Sequence, residues 1–191
     1  MEALTKSEVA MRKYEIIQRI QEGEVFIHPT DTIYGIGCNA ADEKAVRAVR
    51  KLKERGDAPF SIWVPNKEWI LQHCEATPEM NEWLEKLPGP YTFIVKLKNK
   101  ATIAKSVNSG SDTVGVRLPN HWFSRVVEQL GVPIITTSAN RTGKRFMTSI
   151  EDLDGEISRG VRFVVYEGEK KGLPSTIVHL TEGGRVQERT K

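Results

Sequence analysis

At 191 residues with 39% hydrophobic side chains, the chain can bury one good core and is too short for two, so a single domain spanning residues 1–191 is expected. A formal net charge of +3 is too small to make the whole molecule a polycation, so any anionic partner has to be met by local clusters of Lys and Arg. Cys38 and Cys74 form no CxxC pair and no zinc spacing appears, while the opening MEALTKSEVAMRK has no apolar signal core and no run reaches membrane length; a cytoplasmic chain with no membrane partner and no metal-ligand set is expected.

In chain order, Thr5 with Glu8 has the form of a capping box, and Val9, Tyr14, Ile16, Ile17 and Ile20 supply a helical apolar stripe that Gly23 ends. Val25, Phe26 and Ile27 read as a buried strand that Pro29 terminates. The stretch from His28 to Ala40, HPTDTIYGIGCNA, then crowds Thr30, Asp31, Thr32 and Tyr34 into a polar connection with two glycines, where α/β proteins place ligands. An ordinary polar loop with glycines for its turns is the bland alternative. Asp42 and Glu43 open a second helix, with Ala45, Ala48, Val49 and Leu52 on one face and the row Lys44, Arg47, Lys51 on another, which usually means a solvated face.

Lys53 and Arg55 fall where Gly56, Asp57 and Pro59 break that helix, just before the apolar strand Phe60 to Val64, so they can reach over a sheet edge. A helix around Met80 to Lys86, the turn PGP at Pro88 to Pro90 and an alternating strand Tyr91 to Leu97 come next. After the Gly/Ser loop Ser106 to Asp112, the strand Thr113 to Pro119 carries Arg117 near its end, and a helix Trp122 to Leu130 precedes the buried strand Val132 to Ile135. That strand delivers TTSAN, Thr136 to Asn140, with Arg141, Lys144 and Arg145 close behind. The last third reads as a weak helix near Ile150, a strand Val161 to Val165, the loop EGEKKGLPS and a strand Thr176 to Leu180. Strands alternate with helices, yet short turns such as PGP also allow antiparallel pairing, so the expected fold is α+β (α/β-like) with a mixed sheet.

Several chemistries are absent or weak. No GxxxxGK loop is present, and although YGIGCNA matches GxGxxA, Pro29 to Tyr34 separate its first glycine from the strand. Cys38 and Ser138 lack a neighbouring base, and the four histidines stand in no recognisable motif. What remains is an anion site of Lys53, Arg55 and Arg117 with the hydroxyls of Thr30, Thr32, Thr113, Ser138 and Ser175, suited to a phosphorylated or carboxylated ligand.

These residues resemble one family. PTDTIYGIGCNA is similar to the PTxTxYGLxxxA opening of the YrdC family, the threonylcarbamoyl-AMP synthases; LKERGDAPF is similar to its KxRP segment and PGPYTFIVK to its PGPxT strand. TVGVRLPNH, TTSANRTGK and LPSTIVHL resemble the remaining signatures, in family order from about Val25 to Leu180. The resemblance implies a twisted mixed sheet flanked by helices around a deep basic cleft, in the form without an extra C-terminal domain. It implies L-threonine, bicarbonate and ATP as substrates, with Mg²⁺ accompanying the ATP, giving threonylcarbamoyl-adenylate and pyrophosphate for N6-threonylcarbamoyladenosine at position 37 of tRNA. A downstream tRNA threonylcarbamoyl transferase would receive the product, and tRNA or double-stranded RNA is a further partner. By resemblance Thr30, Thr32, Arg117, Thr136 and Ser175 hold threonine, Lys53, Arg55, Thr113, Ser138, Asn140 and Arg189 contact ATP, and Lys53 and Arg55 act in catalysis. The chain departs from the pattern at Gly56, in place of the KxRP proline; at Trp63, near a threonine-contacting histidine; at Phe146 and His179; and in a tail, RVQERTK, without ILRxG. The other reading is a non-catalytic RNA-binding module using Lys44, Arg47, Lys51, Arg141, Lys144 and Arg145, against which stand the 7% aromatic content and the lack of an RNA-reading motif.

Overall fold

The computed structural model describes residues 1–189. The elements run β1 (Glu2–Leu4), α1 (Lys6–Met11), α2 (Lys13–Gln21), β2 (Phe26–His28), β3 (Gly35–Gly37), α3 (Glu43–Leu52), β4 (Ser61–Trp63), α4 (Lys67–His73), α5 (Met80–Glu85), β5 (Tyr91–Lys96), β6 (Thr113–Arg117), α6 (Ser124–Leu130), β7 (Ile134–Ser138), α7 (Gly155–Gly160), β8 (Phe163–Val165), β9 (Thr176–His179) and β10 (Arg185–Gln187). The strands form one sheet in the order β1-β8-β2-β3-β7-β4-β6-β5-β9-β10. It is mixed: β8 pairs in parallel with β1 and β2, β4 with β6 and β5 with β9, whereas β3 runs antiparallel to β2 and β7, and β4 to β7.

Strand periodicity divides the core into two layers. Ile27, Ile36, Ile62, Val116, Ile135 and Val164 face α3, α4, α5 and α7. Phe26, Trp63, Ile134, Phe163 and Val165 face the other way, onto Val9, Ile16, Ile20, Phe123, Val126 and Leu130 of α1, α2 and α6 and the turn before α6. Thr5 caps α1 through the expected box with Glu8, and the Asp42 carboxylate caps α3 by accepting from the amides of Lys44 (2.8 Å) and Ala45 (3.0 Å).

Several sequence expectations change. The helix after Thr5 breaks at Arg12, leaving Tyr14 81% exposed outside the stripe, and in α3 the inward residues are Ala45, Val46 and Val49 while Ala48 faces solvent. Gly35 and Gly37 are not turn residues: they form β3 and pair across from His28 and Phe26. A Cβ on Gly35 would lie 2.7 Å from Cε1 of His28, and one on Gly37 would lie 2.8 Å from its Cδ2, so these glycines make room for a buried imidazole. β1, α4 and β10 carry no strong sequence signal. No helix of the described residues is long and apolar enough to cross a membrane.

Candidate functional site

The second sheet face changes character along its strands. On β7, Ile134 packs against the α1, α2 and α6 layer, and Thr136 and Ser138 follow on the same side; on β4, Trp63 is buried in that layer and Ser61 stands two residues away. On β6, Thr113, Gly115 and Arg117 share a side opposite Val114 and Val116. Beyond the apolar layer this face holds a cavity of about 140 Å³. Thr30, Ser61, Thr92, Thr136, Thr137, Ser138 and Ser175 line it, together with Arg55, Arg117 and Arg189 and the less polar Ile33, Tyr34, Phe146 and Pro174. Gly115 keeps the floor open, because a Cβ there would lie 2.6 Å from Ser61 Oγ.

The β2–β3 connection supplies one wall. A chain of hydrogen bonds runs from Arg117 Nη2 to Thr32 Oγ1 (3.1 Å), from Thr32 to Thr30 Oγ1 (2.9 Å) and from Thr30 to the carbonyl of Ile33 (2.8 Å). Arg117 Nη2 also meets Asp31 Oδ1 at 3.2 Å. Burial pushes the Arg117 guanidinium down to about 10, opposed by Asp31, and its Nε is buried without a partner. A buried cation with donors to spare is built to receive an anion.

Lys53 and Arg55 leave α3 in opposite directions. The helix ends with Arg55 N–H donating to the Arg50 carbonyl and Glu54 N–H to that of Lys51, the Schellman pattern, and Glu54 takes the left-handed conformation at φ 51°. Lys53 is buried, and its Nζ donates to the carbonyls of Ser138 (2.5 Å) and Asn140 (2.6 Å) and to Asn140 Oδ1 (3.1 Å). Burial, then the nearby Arg55 charge, pushes the Lys53 ammonium down to about 7. Ser138 Oγ donates to the same Asn140 Oδ1 at 2.6 Å, so Lys53 pins the loop after β7 from beneath and does not line the cavity. Arg55 does line it, braced by the carbonyls of Ala58 (3.1 Å) and Pro59 (2.7 Å) with its guanidinium 5.2 Å from the Phe60 ring centre.

Ser175 is buried and shares a hydrogen bond with Thr92 (2.7 Å), and Arg189 donates to the Ser175 carbonyl (2.8 Å) and Oγ (2.7 Å). The structure thus brings Thr30, Arg55, Arg117, Thr136, Ser138, Ser175 and Arg189 to one cavity, with Thr32, Lys53 and Asn140 in contact with its walls. Thr113 stays outside it, on the same strand face as Arg117 but roughly 13 Å along β6, bordering a separate groove with Asp112, Lys100 and Lys105. Trp63 is fully buried, 5.4 Å from the His28 ring and 5.9 Å from Phe123, and belongs to the core. Asp31 stood in the polar connection the sequence marked, though without a role of its own, whereas Ser61 and Thr92 were not singled out; the alternation Ser61, Ile62, Trp63 held the signal for Ser61, and nothing local marked Thr92.

A sequence profile of the Sua5/YciO/YrdC family, described as "Telomere recombination", matches residues 18–189, and the chain belongs to this family. It is 38% identical over 168 residues to a putative threonylcarbamoyl-AMP synthase of Methanocaldococcus jannaschii, covering 86% of this chain and 78% of that protein. It is 34% identical to the threonylcarbamoyl-AMP synthase of Pyrococcus abyssi over 85% of this chain and 49% of that one, so it spans about half the length of that relative. The structure of P. abyssi Sua5 complexed with L-threonine superposes with a TM-score of 0.82 at 30% identity, over 94% of this chain and 54% of that chain. E. coli YciO, at 19% identity and a TM-score of 0.80 over 93% of this chain and 88% of that one, shares the fold. The α+β mixed sheet flanked by helices is the family's architecture.

Proposed function

We propose that this single-domain chain is a nucleotidyltransferase that makes threonylcarbamoyl-AMP and pyrophosphate from L-threonine, bicarbonate and ATP, for N6-threonylcarbamoyladenosine formation on tRNA in the cytoplasm. The observation that carries this reading is the cavity in which Arg55, Arg117 and Arg189 meet a ring of hydroxyls, in a chain similar to synthases of that name. In this reading the amino acid takes the cavity of about 140 Å³ and the nucleotide extends outward from it. Threonine lies within it, its carboxylate on Arg117 and its polar groups among Thr30, Thr32, Thr136 and Ser175. ATP approaches from the mouth, where Arg55, Ser138 and Arg189 meet its phosphates, and Thr113 borders the path further along the same face.

The threonine amine attacks bicarbonate carbon, water departs, and the N-carboxylated amino acid is an anion. An oxygen of the new carbamate group, not of the α-carboxylate, then attacks the α-phosphorus of ATP, and the P–O bond to pyrophosphate breaks. Because the nucleophile is already negative, the task of the protein is to gather anions and stabilise the charge spread over the transferring group. Lys53 contributes by fixing Ser138 and Asn140, and Arg55 by its own charge. Mg²⁺ would supply charge neutralisation on the triphosphate; Asp31, the carboxylate beside the cavity, is engaged by Arg117 and Asn120, so phosphate oxygens and water are its natural ligands.

Pyrophosphate release with each substrate varied separately tests this. Release is expected to require both threonine and bicarbonate, and Arg55→Ala is expected to cut the rate by about 10² to 10³; release indifferent to threonine overturns the reading. The RNA-module alternative loses support from the same residues. Arg47 is paired with Glu43, and Arg141 with Glu54 and Asp154, while the relatives are named for a synthase activity.

A further inference from the structure

The carboxylate of Asp31 sits at a junction that the cavity lining alone does not account for. Its side chain is 11% exposed. Oδ1 accepts from Arg117 Nη2 at 3.2 Å, and Oδ2 accepts from the backbone amide of Asn120 at 2.9 Å. Asn120 lies three residues past the end of β6, so one carboxylate ties the β2–β3 connection both to the Arg117 head group and to the backbone that carries Arg117 forward. The hydroxyl of Thr32 takes a second bond from the same Nη2. The side of the guanidinium bearing Nη2 is thereby fastened twice, whereas Nη1 has no protein partner among the described residues and is left to the cavity that Arg117 lines.

An arginine side chain has four rotatable torsions before its planar head, so lining a cavity does not fix which edge it presents. A carboxylate accepts two bonds at once and carries the opposite charge. An amide in its place has one accepting oxygen for two donors and no charge, and one of the Arg117 and Asn120 contacts is lost. We propose that Asp31 is the positioning residue for the amino-acid carboxylate: it holds the Nη2 side of Arg117 so that the Nη1 side stays turned to the ligand. This rests on the reading above, in which Arg117 receives the threonine carboxylate. Asp31 itself touches Arg117 and the backbone, so it acts through another residue and not on the reacting atoms.

The test is calorimetric binding of L-threonine to the full chain, with steady-state pyrophosphate release on the same preparations. Asp31→Asn is expected to weaken threonine binding and raise the threonine KM by about tenfold or more, with the ATP KM within about twofold and kcat at saturating threonine within about threefold. In an Arg117→Lys background, Asp31→Asn is expected to change the threonine KM by less than about twofold, since the partner it orients is gone. Unchanged threonine affinity in Asp31→Asn, a parallel loss of ATP KM and kcat with a lowered melting temperature, or full additivity with Arg117→Lys each overturns the assignment. Should Asp31→Asn not fold, Asp31→Glu keeps the charge and shifts it by one methylene; a raised threonine KM with unaltered ATP KM is expected, and an unaltered threonine KM overturns the proposal. Absence of threonine binding in the unaltered protein would sink the proposed function itself, whereas binding there with no change in the variants sinks only the role of Asp31.

Discussion

The imidazole of His28 is completely buried, stacked on Phe123 at 6.0 Å and edge-on to Trp63, with Nε2 unpartnered. Burial drives its pKa down to about 3, so the folded state keeps it neutral while the unfolded chain takes up a proton near pH 6.5. Between those two values the unfolded state binds more protons, so the contribution is complete above about pH 6.5 and is lost as the pH falls toward 3. Urea unfolding is expected to show stability falling by up to about 1.4 kcal/mol per pH unit from pH 6.5 to 5. In His28→Phe that slope flattens. The same ring explains the glycines opposite it: Gly35→Ala would set a Cβ against an imidazole wedged between aromatic neighbours, and a loss of about 1–3 kcal/mol is expected in urea melts at pH 7. A GxG that reads as a turn or a dinucleotide fingerprint is here a strand that clears space for one side chain.

At the scale of elements, the end of α3 decides where two cations go. Left-handed Glu54 turns the chain so that Lys53 stays under the sheet and Arg55 comes out at the cavity. Glycine is the residue that suits this position, and glutamate there carries a backbone cost of about 1 kcal/mol. Glu54→Gly is therefore expected to stabilise the protein by about 0.5–1 kcal/mol in chemical unfolding, since the Glu54–Arg141 pair that it removes is exposed on the Glu54 side and worth little. An unchanged or lower midpoint would show that the pair, or stiffness at this turn, outweighs the relief. Gly56, at the place of the KxRP proline, has open space around it, while Arg55 is held by two carbonyls and the Phe60 ring, so the arginine is braced by its neighbours.

Across the whole molecule, the cavity exists because the sheet extends beyond the helices that cover its second face. Tips of β6 and β7, the β2–β3 connection, Ser61 of β4, Thr92 of β5 and the segment before β9 converge there, and after β10 the chain returns Arg189 to Ser175. Arg189 itself is exposed, although Ser175, which it reaches, is buried. Arg189→Ala is expected to leave the melting temperature unchanged and to raise the ATP KM by about tenfold, read from pyrophosphate release; a lowered melting temperature with normal ATP KM would make Arg189 a structural clasp.

Local physics made much of this legible in the chain itself. The Thr5–Glu8 box, the Asp42 cap, the alternation in Tyr91–Lys96 and the buried run before Pro29 each depend on neighbours a few residues away. The two polar bursts, near Thr30 after β2 and at Thr136–Ser138, which the fold keeps within β7 where the sequence alone ends the strand at Ile135, pointed to a shared site. Pairing and burial between distant segments decided the rest. β1 and β10 are three-residue strands that exist through their partners, Lys53 is pinned by a loop more than eighty residues away, Ser61 and Thr92 became site residues only when folding set them beside Gly115 and Ser175, and Asp31, already marked by its polar stretch, gained its role only beside Arg117. The amino acids set which groups were available and their local conformation; the tertiary structure chose which of them share a cavity, because hydrogen bonds and desolvation act through distance in space and not along the chain.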